Sequence, residues 1–417
     1  MSDCSVSTKN GIDPGEPMVK KIVFFCFTPV IKHHYKRFGV EILKDNGFEV
    51  WIYDFSPIVF PDLYNNATYV DQLTSEDYFR LDDAKKALRA ICGLDDKCFA
   101  VVTGPYQKET FEIYRALSKA NLPYTFWGVN SNTVGIGKYD KSLLWLWKFI
   151  FKFKHFNLKK LKRLLYKPIL APVFGIRSPD VCILGGEKSL ELNGTAALIG
   201  EKTELLWTHT HDYDTYLTDL HKKEVEENIA VFIEPSGPMF PWDELLPHEN
   251  AAWTVERYYP SQCRFFDYVE KELGLEVIVA AHPKSNHADD HPEYYGKRRT
   301  IRNQILPLIK KSKLVMTHSS TALSFAVLEK KPILILTTAE FEENDIPTSR
   351  EFKAIASSLG TIPINVDATP YSIDWGKKLL VNEDLYLSYE QLYLKKADSE
   401  KLNSWQILAN RLKQSSY

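Results

Sequence analysis

Short runs of apolar residues recur along the chain, each closed by a polar or turn-forming residue. The first, Lys20–Thr28 (KKIVFFCFT), is continuous rather than alternating, rich in β-branched and aromatic side chains, and ended by Thr-Pro. Such a run predicts a strand buried on both faces, as in a parallel sheet. A stretch of helical spacing follows, roughly His34 to Asn46, closed by Gly47; then FEVWIYDFS gives a second strand ending at Asp54. A β-α-β opening predicts a Rossmann-like sheet. Further strands are predicted at Phe99–Thr103, Tyr124–Val129, Val181–Leu184 and Leu205–Thr208, with helices such as Lys108–Ala120 between them.

A second series begins at the strand Ile229–Ile233, followed by the Pro/Gly stretch EPSGPMFP. A helix over Pro260–Leu273 leads to the strand LEVIVAAHP, and a helix over Arg302–Lys311 leads to KLVMTHSS. Thr321–Leu328 is predicted helical and PILILTT a strand. Leu387–Leu412 reads as a C-terminal helix with Trp405, Leu408 and Leu412 on one face. The pattern divides the chain into a tail (1–18), an N-terminal Rossmann-like domain (19–212), a polar linker (213–228), a C-terminal Rossmann-like domain (229–386) and a terminal helix (387–417). The fold class expected is α/β, with two Rossmann-like domains facing a central cleft. In open α/β sheets ligands bind beyond the carboxyl ends of the strands, so the residues just after each strand carry the functional argument.

Composition narrows the classes. With 52 Lys+Arg against 54 Asp+Glu the formal net charge is −2, which argues against a dedicated nucleic-acid binder. Aromatic residues make up 13% of the chain, too many for disorder throughout. Six scattered Cys without a C-x-x-C indicate neither a disulfide framework nor a zinc site, and point to a reducing compartment. The polar N-terminus has no apolar core of a secretory signal. No run reaches the ~18 apolar residues of a spanning helix.

The sharpest signals lie in the second half. LEVIVAA ends in His282-Pro283-Lys284-Ser285, and KLVMT ends in His318-Ser319-Ser320-Thr321, where a helix begins. Hydroxyls there can cap the helix, or join its free backbone N–H groups in holding a phosphate. His282 at a strand end can donate to a phosphate oxygen or a leaving group. Together, the His-Pro and Ser-Ser elements resemble the C-terminal donor domain of bacterial glycosyltransferases of the GT-B fold that use CMP-activated acidic sugars, the sialyltransferases and the Kdo transferases of capsule assembly. The wider stretch from Phe265 to Leu336 also looks like a family of bacterial surface-polysaccharide proteins. The resemblance implies a GT-B fold. It makes His282, Pro283, Ser319 and Ser320 donor-site residues, beside Lys284, His318, Thr321 and Arg299. It implies a CMP-sugar as substrate, with no separate cofactor and no required metal.

The acidic pair that supplies the general base in the sialyltransferases has no counterpart here. Three carboxylates stand at strand ends instead: Glu234, in Glu234-Pro235-Ser236-Gly237, and Asp212 and Asp214, in Thr208-His209-Thr210-His211-Asp212-Tyr213-Asp214. Asp54 and His33–His34 are the remaining alternatives. The second stretch also has the donor types of a metal site, though such a loop is commonly a hydrogen-bonded hinge. Lys297, Arg298 and Arg299 either face the anionic donor or form a solvated charged surface. Leu184-Gly185-Gly186-Glu187 could touch a substrate through its backbone, but is neither a dinucleotide fingerprint nor a P-loop.

The segment 141–168 carries nine Lys or Arg and no acid, interleaved with Trp145, Trp147, Phe149, Phe151, Phe153 and Phe156. That composition suits an interfacial helix on anionic lipid, a helix packing its aromatic side onto the domain, or, as a third option, a nucleic-acid patch, although base-stacking platforms usually sit on sheets or grooves. The expectation is an inverting glycosyltransferase that moves a CMP-activated acidic sugar onto a surface glycan or lipid-linked acceptor, in the cytoplasm or peripherally on the inner face of a bacterial membrane. A CDP-polyol phosphotransferase, a UDP-sugar GT-B enzyme (transferase or 2-epimerase) and a non-catalytic scaffold are the alternatives.

Overall fold

The computed structural model describes residues 19–66, 73–129, 168–192, 198–235, 253–283, 291–344 and 346–414. The segment 141–168, but for its last residue, and Lys284 lie outside them.

Two parallel sheets organise the chain. The first has seven strands: β1 (Lys21–Cys26), β2 (Glu49–Asp54), β3 (Tyr78–Arg80), β4 (Cys98–Val102), β5 (Tyr124–Trp127), β6 (Val181–Leu184) and β7 (Glu204–Trp207), in the order β3-β2-β1-β4-β5-β6-β7. The second has six: β8 (Ile229–Ile233), β9 (Glu276–Ala281), β10 (Thr300–Arg302), β11 (Leu314–Thr317), β12 (Ile333–Thr337) and β13 (Ile364–Asn365), in the order β10-β9-β8-β11-β12-β13. The central strands read as continuous apolar runs because helices cover both faces; β4, β8 and β12 are buried at every position. Cys26 and Cys182 are buried free thiols within the first sheet.

Two helices that the sequence pattern predicts as continuous are divided in the structure. His34–Asn46 is not one helix but two, Lys32–Arg37 and Val40–Asp45, parted at Gly39 with φ 56°. A Cβ on Gly39 would lie 2.2 Å from Cδ1 of Trp405. The C-terminal stretch is also divided, into Glu383–Tyr389, a wide turn over Glu390–Leu394, and Ser404–Gln414. That last helix leaves the second sheet and packs on the first, where Trp405, Leu408, Ala409 and Leu412 join the core of Phe24 and Ile52. Its apolar face is the one the spacing predicted. The chain crosses back along Gly185-Gly186: the Glu187 and Lys188 amides donate to the carbonyls of Gln391 and Leu392, and a Cβ on Gly186 would meet the Leu392 oxygen at 2.4 Å. These glycines seat the returning chain, which corrects their reading as a substrate contact.

The linker is anchored to the second domain by a buried cation. The Lys310 ammonium donates to Asp219 Oδ2 (2.8 Å) and to the carbonyls of Asp219 (2.6 Å) and Lys222 (3.0 Å). Lys310→Met removes the donor and leaves those oxygens short of partners, so it is expected to cost about 2–4 kcal/mol in denaturant unfolding.

Candidate functional site

In the second sheet β8 connects to β9 on one side, while its other neighbour β11 connects to β12 on the opposite side. A crevice opens at the carboxyl ends of such a pair. Glu234 follows β8, His282 follows β9, and His318-Ser319-Ser320-Thr321 follows β11, so the topology gathers both motifs at one edge. His282, Ser319 and Ser320 are half-buried, and Pro283 and Thr321 are exposed. The Ser320 hydroxyl accepts from the Ala322 amide at 3.3 Å, and the Ser324 hydroxyl donates to the Thr321 carbonyl at 2.6 Å. These bonds fix the turn into the helix Leu323–Leu328.

Glu234 and His318 stand behind this edge rather than on it. Glu234 is 1% exposed, and its Oε2 accepts from the His282 amide at 3.0 Å. Burial, and after it the Glu234 charge, raises the pKa of Tyr258, Tyr259 and Tyr295 around it. Glu234 therefore holds the His-Pro turn, which corrects its expected place as a base facing an acceptor. The His318 ring lies beneath Trp253, Phe341 and Phe352. Its Nδ1 donates to the Leu336 carbonyl at 2.9 Å, and its Nε2 accepts from the Tyr258 hydroxyl at 3.0 Å. Burial pulls its pKa down to about 4, against the opposing pull of the Leu336 carbonyl, so the ring is neutral at pH 7. His318 shapes the floor of the Ser-Ser turn and does not reach a donor, a second correction.

Asp212 and Asp214 part company although only one residue separates them. Both lie in the first turn of the helix His211–Asp219, capped by the Thr210 hydroxyl, and positions two apart face opposite sides of a helix. Asp214 is buried: its Oδ1 accepts from the Ser404 amide at 2.8 Å and lies 3.2 Å from His209 Nδ1. His209 Nε2 is 2.6 Å from the Leu402 carbonyl, and Nδ1 is 3.1 Å from the Ser404 hydroxyl. This Ser-His-Asp cluster clamps the start of the C-terminal helix inside the protein, so Asp214 is no base and His209 no exposed metal donor. Asp54 is likewise engaged, by the Ser56 amide (2.8 Å) and the Tyr78 hydroxyl (2.7 Å).

Asp212 faces the cleft. It is half-buried, with Arg37 of the first domain nearby and the hydroxyls of Ser324 and Thr321 of the second against it. Enclosure by protein pushes its pKa up to about 6, opposed by Arg37 and then by the two hydroxyls. It is thus the sequence-predicted carboxylate that stands beside the Ser-Ser-Thr turn. A carboxyl group that exchanges its proton near pH 6 is suited to general acid–base work.

Arg299 lies elsewhere. Its backbone carbonyl accepts from Val279, well before the end of β9, and its guanidinium pairs with Glu276 at the strand's start (2.8 and 3.1 Å). Arg298 pairs with Asp267 and Glu270. Arg298 and Arg299 are thus salt-bridged at the far end of the sheet, which corrects Arg299 as a donor contact. Arg302, which ends β10 level with Ala281, stands at the same strand edge as His282. The pattern missed it because a three-residue strand is too short to show a period, and the residue fell at the start of a predicted helix. Arg37 was missed because the break that places it depends on Trp405. Among the described residues no cluster of three or more His, Cys, Asp or Glu could hold a metal ion.

No family model matches the chain, and none of the curated proteins compared matches its sequence. Solved structures do. The wall teichoic acid polymerase TagF aligns over 95% of this chain and 89% of its own, with a TM-score of 0.54 at 13% identity. A Listeria monocytogenes protein assigned as a UDP-N-acetylglucosamine 2-epimerase aligns over 94% of both chains, with a TM-score of 0.50 at 14% identity. At such identities the likeness is one of architecture. Two parallel α/β sheets facing a central cleft, matched over nearly their whole length, give this chain the GT-B fold.

Proposed function

We propose that this chain is a transferase that takes a nucleoside-diphosphate-activated donor, of the UDP-sugar or CDP-polyol kind, and passes the activated group to an acceptor hydroxyl. The observation that carries the reading is the convergence at one crevice of His282, Ser319, Ser320 and the cleft carboxylate Asp212. β9 and β11 flank β8, so their ends stand about 10 Å apart, a gap that suits a diphosphate with its sugar better than a single phosphate. The CMP-activated acidic sugar implied by the motif resemblance gives way for that reason, and because a fold neighbour is assigned to UDP-sugar chemistry. Transfer is preferred to 2-epimerisation because an epimerase is expected to need several carboxylates around the sugar. Among the described residues Asp212 is the single sequence-predicted carboxylate that faces the cleft.

In the proposed step the acceptor oxygen attacks the activated centre, and its proton passes to a carboxylate oxygen of Asp212. With a UDP-sugar the bond from the anomeric carbon to the β-phosphate oxygen breaks and UDP leaves with the electron pair; with a CDP-polyol the attacked centre is the β-phosphorus, its bond to the oxygen that bridges to the α-phosphate breaks, and CMP leaves with the electron pair. His282, the Ser319 and Ser320 hydroxyls and the backbone N–H groups of their turn stabilise the charge that develops there. The composition of 141–168 supports an anionic membrane surface as a further partner, from sequence alone. Among the described residues no helix is long and apolar enough to cross a membrane.

Calorimetric titration with UDP, CDP and CMP tests the reading. UDP or CDP is expected to bind more tightly than CMP, with at least a tenfold loss in His282→Ala and in Ser319→Ala/Ser320→Ala. Tightest binding of CMP would restore the CMP-sugar donor. Binding of no nucleotide would leave a non-catalytic scaffold.

A further inference from the structure

The first domain faces the cleft with a chemistry that the donor does not use. β1 and β4 are neighbours whose connections leave in opposite directions, toward β2 and toward β5. Their carboxyl ends therefore open the N-terminal crevice. The first helix beyond β1 is Lys32–Arg37, with the sequence KHHYKR, basic and aromatic throughout and without an acid. Lys32, Lys36 and Arg37 are exposed to solvent.

Arg37 is positioned through its backbone. Its carbonyl accepts from the Trp405 indole at 2.8 Å, and the chain turns away at Gly39 beneath the same ring. The guanidinium is left in the cleft with Asp212 as its nearby opposite charge. The fold thus sets a permanent, solvent-accessible positive charge in the cleft beside Asp212. A guanidinium in that state favours an oxyanion, which it can grip with two parallel hydrogen bonds. Asp212 lies between Arg37 and the Thr321–Ser324 turn, so an anion held at Arg37 brings a hydroxyl on the same molecule toward the carboxylate.

We propose that the acceptor carries an oxyanion, a phosphate or a carboxylate, and that the Lys32–Arg37 turn receives it, with Arg37 as the contact nearest the transferred group. The proposal names the acceptor class of the transferase reading and rests on it.

The test titrates the full-length protein, free and saturated with UDP, with glycerol 3-phosphate, glucuronate and glycerol. Wild type, Arg37→Gln and Arg37→Lys are compared. At least one of the two anions is expected to bind while glycerol does not, and the anion that binds names the acceptor group. Its affinity falls at least tenfold in Arg37→Gln and is partly kept in Arg37→Lys, while UDP affinity is the same in all three proteins. Should Arg37→Gln lower the melting temperature by more than a few degrees, Lys32→Gln/Lys36→Gln is read in its place for the same loss. No binding of either anion, binding of glycerol as tight as that of the anions, or anion binding unaltered by the substitutions would overturn the proposal. A protein that binds UDP but no anion fails this inference alone. One that binds an anion through Arg37 but no nucleotide keeps the anion site and loses the transferase reading.

Discussion

Asp212→Asn is expected to abolish most of the transfer rate while making the protein more stable at neutral pH. The rate should fall by about 10²–10⁴-fold, the range for removal of a positioned general base, with nucleotide affinity kept. The stability effect follows from the direction of the pKa shift. Asp212 is raised from 3.8 to about 6, mainly by burial, so the fold prefers its neutral form. The contribution favouring the folded state is full below about pH 4 and is lost as pH rises through 6. Above that, the folded protein carries a partly desolvated charge at a cost of up to about 3 kcal/mol. Asn removes the charge, so the melting temperature of the variant should exceed that of wild type at pH 8, with the gain shrinking to nothing near pH 4. In wild type, kcat should rise with pH through about 6 and then level off. A variant that is inactive but no more stable at pH 8 would mean that Asp212 is held by its partners rather than strained for catalysis.

Trp405→Ala should produce the largest loss of stability, about 3–5 kcal/mol, as expected for a large aromatic removed from a packed core. The indole is 1% exposed, packs on Phe24 and Trp127 at ring-centroid distances of 5.2 and 4.2 Å, and fills the notch above Gly39. Its N–H also holds the Arg37 carbonyl. The substitution should therefore raise KM for an anionic acceptor beyond what instability explains, while donor binding in the other domain stays intact. Gly39→Ala alone should be strongly destabilising, since the new methyl meets the ring and φ is positive. In the double variant the clash is gone, so the two losses should fall short of additive by 1 kcal/mol or more in chemical denaturation, as contacting residues do. Additive losses would show that the two sites do not share one packing arrangement.

The central strands and their grouping into two Rossmann-like series were legible because a parallel strand buried on both faces writes itself as an unbroken apolar run. β3, β10 and β13, of two or three residues, leave no such trace. The His-Pro and Ser-Ser turns were legible for the same reason as the strands, since a ligand edge must follow the strand ends. What local sequence could not supply was the direction of each side chain. Asp212 and Asp214 share a loop, and helix phase alone sends one to the cleft and the other under Ser404. Arg299 and Arg302 are divided by the short run of β10, which turns one toward Glu276 and carries the other to the His282 edge. The helix break at Gly39 answers a residue in the C-terminal helix, 368 positions beyond Arg37, whose carbonyl its indole holds. No local pattern contains that information.

On the proposed function, the crevice between the ends of β8 and β11 holds a nucleoside diphosphate against the Ser-Ser turn with Asp212 alongside. A crystal structure of the UDP complex tests this most directly. The terminal phosphate is expected within hydrogen-bond distance of the Ser319 or Ser320 hydroxyl, with His282 on its other side and Asp212 facing the space beyond the phosphate. UDP seated at the first sheet, or a phosphate that touches neither serine nor His282, would contradict it.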